Sequence, residues 1–136
     1  DLKPVMTLCA PIALLKKVPA DSGVSYAHQY HTKSDTTLAL IPAGYADGVP
    51  RSATNLGPVL VGGEIRKIAG RVCMDQFVLD VGELDVSLGD EVVLFGDPAR
   101  GEPSVEDWAQ AAGTISYEII TRIGPRVHRE FINNSW

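Results

Sequence analysis

Four tyrosines in this chain sit in stretches that could do chemistry: Tyr26, Tyr30, Tyr45 and Tyr117. A phenol can move a proton when ionised, or donate a hydrogen bond to an anion such as phosphate when neutral. VSYAHQY, residues 24–30, places Tyr26 and Tyr30 four apart, each with a histidine close by, just after a turn-like Asp21-Ser22-Gly23. GYADGVPR, residues 44–51, brackets Tyr45 between Gly44 and Gly48 and ends on Arg51. The plain alternative there is a tight turn with an exposed tyrosine. GRVCMDQF, residues 70–77, sets Arg71, Met74 and Asp75 at a strand edge. Its plain alternative is a surface pair of Arg71 and Asp75 beside a core Met74. GTISYE, residues 113–118, puts Tyr117 in the first turn of a predicted helix, where anions are favoured but most tyrosines simply pack.

Other chemistries find little support. Ser25 lies near His28, but nothing resembles a nucleophile elbow or a serine triad. No glycine loop of a phosphate-cradling type occurs. His28 and His31 are three apart, without the cysteines or carboxylates that would complete a zinc set. The formal charge is −5 and no basic run exists, which argues against nucleic acid as a partner. No apolar stretch reaches membrane-spanning length. DLKPVM has neither the basic leader nor the cleavage site of a signal peptide. The chain starts at Asp1 without Met, as expected of a piece of something longer. Two cysteines, Cys9 and Cys73, do not make a disulfide framework and are expected to be reduced.

The elements that must position these residues are mostly strands. The apolar, branched run at 5–18 reads as a strand, bent or at a sheet edge near Pro11. Residues 36–43 read as another strand. Two apolar runs around Gly62-Gly63 give the best hairpin signal. QFVLDV alternates, with Phe77, Leu79 and Val81 on one face and Val78 and Asp80 on the other. A further strand follows Gly89-Asp90. Ser104 with Asp107 three residues later is a capping-box variant that opens a short helix, closed by Gly113. Thr114 is expected to open a second helix that Pro125 stops, and RVHREF at 126–131 reads as a last strand.

The order VSYA, GYADGVPR, GRVCMD, TISYE, RVHR resembles the C-terminal domain of the alanine racemases, which are pyridoxal-phosphate enzymes. The resemblance covers nearly the whole chain, and GEPSVEDWAQAAGTISYE is similar to actinobacterial members. It implies a mainly β fold over residues 1–136: a small β-barrel-like C-terminal domain with two short helices near the C-terminal end. The (β/α)8 barrel that carries pyridoxal 5'-phosphate on a lysine is absent from this chain. By resemblance, Tyr26 is the catalytic base that takes the α-proton from L-alanine in a site shared with the barrel domain of a partner subunit in a homodimer. The backbone N–H of Met74 helps bind the substrate carboxylate. Tyr117 hydrogen-bonds the cofactor phosphate, and Tyr45, Arg51, Arg71 and Ile115 line the way into the site. The resemblance also implies a bacterial cytoplasmic enzyme whose D-alanine feeds peptidoglycan. Two departures stand out: Ala27 replaces the family's usual glycine after the tyrosine, and His128 replaces a frequent proline.

A phenol with an ordinary pKa near 10 is only about 0.1% ionised at pH 7, a deficit of roughly 4 kcal/mol that neighbouring positive charge must offset. The family's assisting histidine and arginine belong to the barrel. None of Lys3, Lys16, Lys17, Lys33 or Lys67 lies in a context like that of the cofactor lysine. A barrel takes about 250 residues, so this chain alone is expected to bind the cofactor weakly or not at all and not to racemise alanine. Two rival readings stay open: a racemase for another amino acid such as serine, and a non-catalytic β-barrel module that docks a partner through its loop tyrosines.

Overall fold

The apolar run at 5–18 makes two strands rather than one bent strand. In the computed structural model, which describes residues 3–132, β1 (Leu8–Pro11) and β2 (Leu14–Val18) lie in different sheets. Pro11 and Ile12 form the corner. The amide of Ile12 donates to Asp90 O at 2.9 Å in one sheet, and that of Ala13 to Leu40 O at 2.9 Å in the other. The later strands are β3 (Gly23–Val24), β4 (Tyr30–His31), β5 (Thr36–Ile41), β6 (Pro58–Val61), β7 (Glu64–Lys67), β8 (Phe77–Asp80) and β9 (Glu91–Phe95). Two helices follow, α1 (Val105–Ala112) and α2 (Ser116–Thr121).

The strands pair antiparallel into a four-stranded sheet in the order β1-β9-β6-β7, a three-stranded sheet in the order β2-β5-β8, and the β3-β4 pair. The predicted hairpin is β6–β7, with Val61 opposite Glu64 across Gly62-Gly63. An isolated bridge between Ile68 and Leu79 joins the two larger sheets on the side away from the β1–β2 corner. The fold is therefore mainly β and loosely barrel-like, with sheets that do not close into one ladder.

The core lies between the two larger sheets, and the strand patterns set which side chains enter it. Phe77, Leu79 and Val81 point inward and are fully buried, whereas Val78 and Asp80 are half-buried on the other face. Ala39 and Ile41 of β5 and Val59 and Val61 of β6 meet them. β9 buries residues on both of its faces, Val92 and Leu94 on one and Val93 and Phe95 on the other. Trp108 of α1 is buried and donates its indole N–H to Leu94 O. The capping box is formed: Asp107 N donates to Ser104 Oγ at 3.0 Å, and Ser104 N donates back to Asp107 Oδ2 at 2.8 Å. Gly113 ends α1 in a left-handed conformation.

Two expectations shift. Thr114 does not open α2. Its amide donates to Ala109 O at 2.9 Å and so still belongs to the end of α1, and the extended Ile115 precedes α2 instead. RVHREF is not a strand. A strand needs a ladder partner, and this exposed segment has none. Its arginines are engaged elsewhere: Arg129 Nη2 donates to Ile123 O at 2.9 Å, and Arg126 pairs with Asp47 and Asp75.

Of the two tyrosines in VSYAHQY, Tyr30 is structural. Its hydroxyl donates to Asp80 Oδ2 at 2.8 Å, fastening β4 to β8. Burial, and then the hydrogen bond and negative charge of Asp80, push the Tyr30 phenol up to about 12 from an ordinary 10. Because the folded value is raised, the contribution is complete below pH 10 and is lost as pH rises through 12. Following phenolate absorbance should give a transition near 12 that Tyr30→Phe removes. Urea unfolding should show stability falling across that window in the parent chain and more shallowly in Tyr30→Phe.

Candidate functional site

Four loops carry the residues singled out from sequence, and the backbone laces them together. The first is the turn at 25–28 between β3 and β4, which holds Tyr26. The second, residues 44–55, follows β5 and holds Tyr45 and Arg51. The third, residues 70–76, precedes β8 and holds Arg71 and Met74. The fourth region is α2 with its flanks, holding Ile115 and Tyr117.

The second and third loops meet through main-chain bonds: Tyr45 N to Cys73 O at 3.0 Å and Ala46 N to Met74 O at 2.9 Å. This pairing needs a glycine. A methyl group on Gly44 would sit 2.3 Å from Met74 O and 2.4 Å from Cys73 O. The loop's own shape is set by Asp47, whose carboxylate accepts from Gly44 N at 2.8 Å. The third loop also seats the first. Ser25 Oγ donates to Arg71 O at 3.0 Å and lies 3.3 Å from Cys73 Sγ. At Gly70 a methyl group would come within 2.7 Å of Val24 O, so the turn rests directly on that glycine.

The fourth region joins through the end of α2. Gly124 N donates to Asp47 O at 3.0 Å. Arg126 reaches Asp47 at 3.3 Å and Asp75 at 2.7 Å, tying three regions at one guanidinium. Those two carboxylates also hold the Arg126 guanidinium firmly protonated, the bond to Asp75 acting first. A six-residue helix is about 9 Å long, so Tyr117 stands about one helix length from the loop that α2 docks on. Arg51 begins a short 3-10 turn, Arg51–Ala53, whose Ser52 Oγ donates to Ala112 O of α1 at 2.9 Å.

The side chains face outward. Tyr26 is 71% exposed, Tyr117 75% and Met74 53%, and Tyr45 and Ile115 are exposed as well. Met74 is thus no core residue. Asp75 pairs with Arg126 rather than with Arg71, against the plain alternative read from sequence. The amide of Met74 takes no part in the loop pairing, which uses its carbonyl. Two open hollows, about 740 and 850 Å³, lie elsewhere and are lined by none of these residues. The groups these loops present are phenols, guanidinium groups and a main-chain amide left out of the loop pairing. Among the described residues no cluster of side chains suits a metal ion.

Ala27 lies in the left-handed region, at φ 58° and ψ 14°. Ser25 at φ 62° and His28 at φ 46° flank it, so the turn that carries Tyr26 holds three non-glycine residues where glycine is favoured. Each costs of order 1–2 kcal/mol. The turn is therefore strained and must be held from outside.

A family model described as "Alanine racemase, C-terminal domain" matches residues 5–131. The chain belongs to the alanine racemase C-terminal domain family. It is 62% identical over 131 residues to the alanine racemase of Frankia casuarinae, covering 96% of this chain and 34% of that protein. The solved alanine racemase of Streptomyces coelicolor superposes with a TM-score of 0.95 at 60% identity, over 98% of this chain and 35% of the other. The Bacillus anthracis alanine racemase, solved with bound L-Ala-P, gives a TM-score of 0.87 at 40% identity, over 96% of this chain and 33% of that one. This chain thus spans about a third of the length of the alanine racemases it matches.

In this alanine racemase domain, Gly44→Ala is expected to force the Tyr45 and Met74 loops apart and to cost about 1–3 kcal/mol, the range for overpacking a filled site. Urea unfolding of this chain checks it. Gly63→Ala, at a turn with nothing within 4 Å of an added methyl group, serves as the comparison and should cost about 1 kcal/mol.

Proposed function

We propose that this chain is the part of a bacterial alanine racemase that presents a proton-transfer tyrosine, Tyr26, to a cofactor site on the barrel domain of a partner subunit. The observation that carries the reading is the exposure of the Tyr26 phenol on a turn seated directly against the Arg71–Cys73 backbone, one residue from Met74. A packed structural tyrosine looks different, as Tyr30 does in the same stretch.

Racemisation needs one acid–base group on each face of the α-carbon. Tyr26 serves one face: its phenolate oxygen takes the α-proton of L-alanine, and its phenol returns a proton when D-alanine is the substrate. The Met74 amide is available to donate to the substrate carboxylate, because the loop pairing engages only the carbonyl of that residue. Tyr45, Arg51, Arg71 and Ile115 line the approach, where the two guanidinium groups can attract the carboxylate of a small amino acid. Pyridoxal 5'-phosphate, when bound, supplies a conjugated ring that takes up the negative charge left as the α-proton departs. The residues present suit that group as a complementary half-site. The exposed Tyr117 phenol can donate to its phosphate, whereas Lys16 and Lys17 on β2, Lys33 between β4 and β5 and Lys67 on β7 all lie off the four loops. The amine that anchors the cofactor must come from the barrel. The product D-alanine serves cell-wall peptidoglycan in the cytoplasm.

Two measurements test the reading. The isolated chain, mixed with pyridoxal phosphate and L-alanine, should yield no D-alanine above the cofactor's own background; substantial turnover would mean the half-sites are wrongly divided. In the full-length enzyme, Tyr26→Phe should keep the dimer and bound cofactor and lower kcat by about 100-fold or more, the scale of a lost general base. Undiminished kcat in that variant would remove Tyr26 from the chemistry.

A further inference from the structure

We propose that Asn55 is a positioning residue for Tyr26, holding the strained turn beneath the phenol through a hydrogen bond from its side-chain amide to Gln29 O. The inference rests on the reading of Tyr26 as the proton-transfer group. It starts from the backbone: Ser25 has φ 62° and ψ −174°, a region occupied almost only by glycine, and Ala27 and His28 follow at φ 58° and 46°. Strain of that kind persists only where neighbours over-determine it. The turn has two side-chain anchors among the described residues. At its start, Ser25 Oγ donates to Arg71 O at 3.0 Å. At its exit, Asn55 Nδ2 donates to Gln29 O at 3.1 Å.

Asn55 reaches the same loop that Ser25 does. Its Oδ1 accepts from Gly70 N at 2.6 Å, and its own amide donates to Gly70 O at 3.4 Å. The amide orientation is fixed by its partners: Gly70 N–H can only donate and Gln29 O can only accept. Asn55 is itself left-handed at φ 60°, a conformation asparagine tolerates better than most residues. The chemistry of this position is therefore specific. It needs an acceptor for Gly70, a donor for Gln29 and a backbone at ease with positive φ. Asparagine meets all three, whereas aspartate lacks the donor. The Tyr26 turn is clamped from both ends onto the Gly70–Arg71 backbone of the loop that leads to Met74, so the phenol and the Met74 amide are held to one reference.

Asn55→Asp in the full-length holoenzyme tests this role, since it keeps the acceptor and the left-handed tolerance while replacing the donor to Gln29 O with a charged acceptor that repels it. The expected result is a roughly tenfold fall in kcat with KM within about twofold, the signature of a misplaced proton-transfer group rather than lost binding. Ala27→Gly relieves the strain that the clamp resists, so the Asn55→Asp/Ala27→Gly pair should recover most of the lost kcat. A purely structural Asn55 would lower the melting temperature and leave kcat per cofactor-loaded site unchanged. Unchanged kcat in Asn55→Asp, or no recovery in the pair, overturns the proposal. Tyr26→Phe measured alongside separates the two ideas. Full turnover in Tyr26→Phe sinks the reading of Tyr26, whereas lost turnover there with undiminished kcat in Asn55→Asp sinks the positioning role alone.

Discussion

The backbone contact between Gly44–Ala46 and Cys73–Met74 is the constraint on which the rest of the site depends. It brings the loop after β5 against the loop before β8 with no side chain between them. Once those backbones are paired, the remaining positions follow. The Tyr26 turn rests on the same loop through Gly70 and Ser25, and the end of α2 docks on Asp47. Tyrosines from three distant stretches of sequence are thereby tied to one framework of main-chain hydrogen bonds rather than to one another. Main-chain pairing suits that task because it fixes position without covering the side chains.

The site loops and the core obey opposite rules. Between the sheets, apolar side chains are buried and the strands alternate as packing demands. In the loops, large side chains are exposed and the turn at 25–28 adopts a conformation costly for its residues. Neither feature helps this chain fold. The three-way contact of Arg126 with Asp47 and Asp75 is half-exposed and adds little stability, since such pairs are typically worth about 0–1 kcal/mol. Its effect is geometric: it fixes the Tyr45 and Met74 loops relative to the end of α2.

Sequence reading went furthest where periodicity and turn chemistry act locally. The alternation in QFVLDV, the hairpin at Gly62-Gly63 and the capping box at Ser104 and Asp107 each express a single rule that the fold does not override. It failed where tertiary partners decide. The run at 5–18 looked continuous because it is mostly apolar and branched, yet the corner at Ile12 sends its halves to different sheets. RVHREF has strand composition but joins no ladder among the described residues. Motif order singled out Tyr26, Tyr45, Tyr117 and Met74, and the structure places all four exposed on the linked loops and α2. Asn55 was not legible in this way, because its importance lies in two backbone partners, at Gln29 and Gly70, far apart along the chain. One signal was present: asparagine is enriched at positive φ, and Asn55 precedes Leu56-Gly57 between a short turn and a strand.

Charge is distributed unevenly over the four loop regions. The chain carries a net charge of −5, yet each carboxylate that reaches the paired loops, Asp47 and Asp75, is engaged with Arg126. Arg51 and Arg71, on the loops that flank the tyrosines, form no ion pair among the described residues. Guanidinium groups left without a carboxylate favour anions nearby, whether a substrate carboxylate or an ionised phenol. In open solvent that preference is weak, because water screens it. It becomes strong once a second surface excludes the water, as a partner covering the exposed Tyr26, Tyr45 and Met74 would do. The electrostatic weight of these two guanidinium groups is therefore set less by the loops that carry them than by how much water surrounds them.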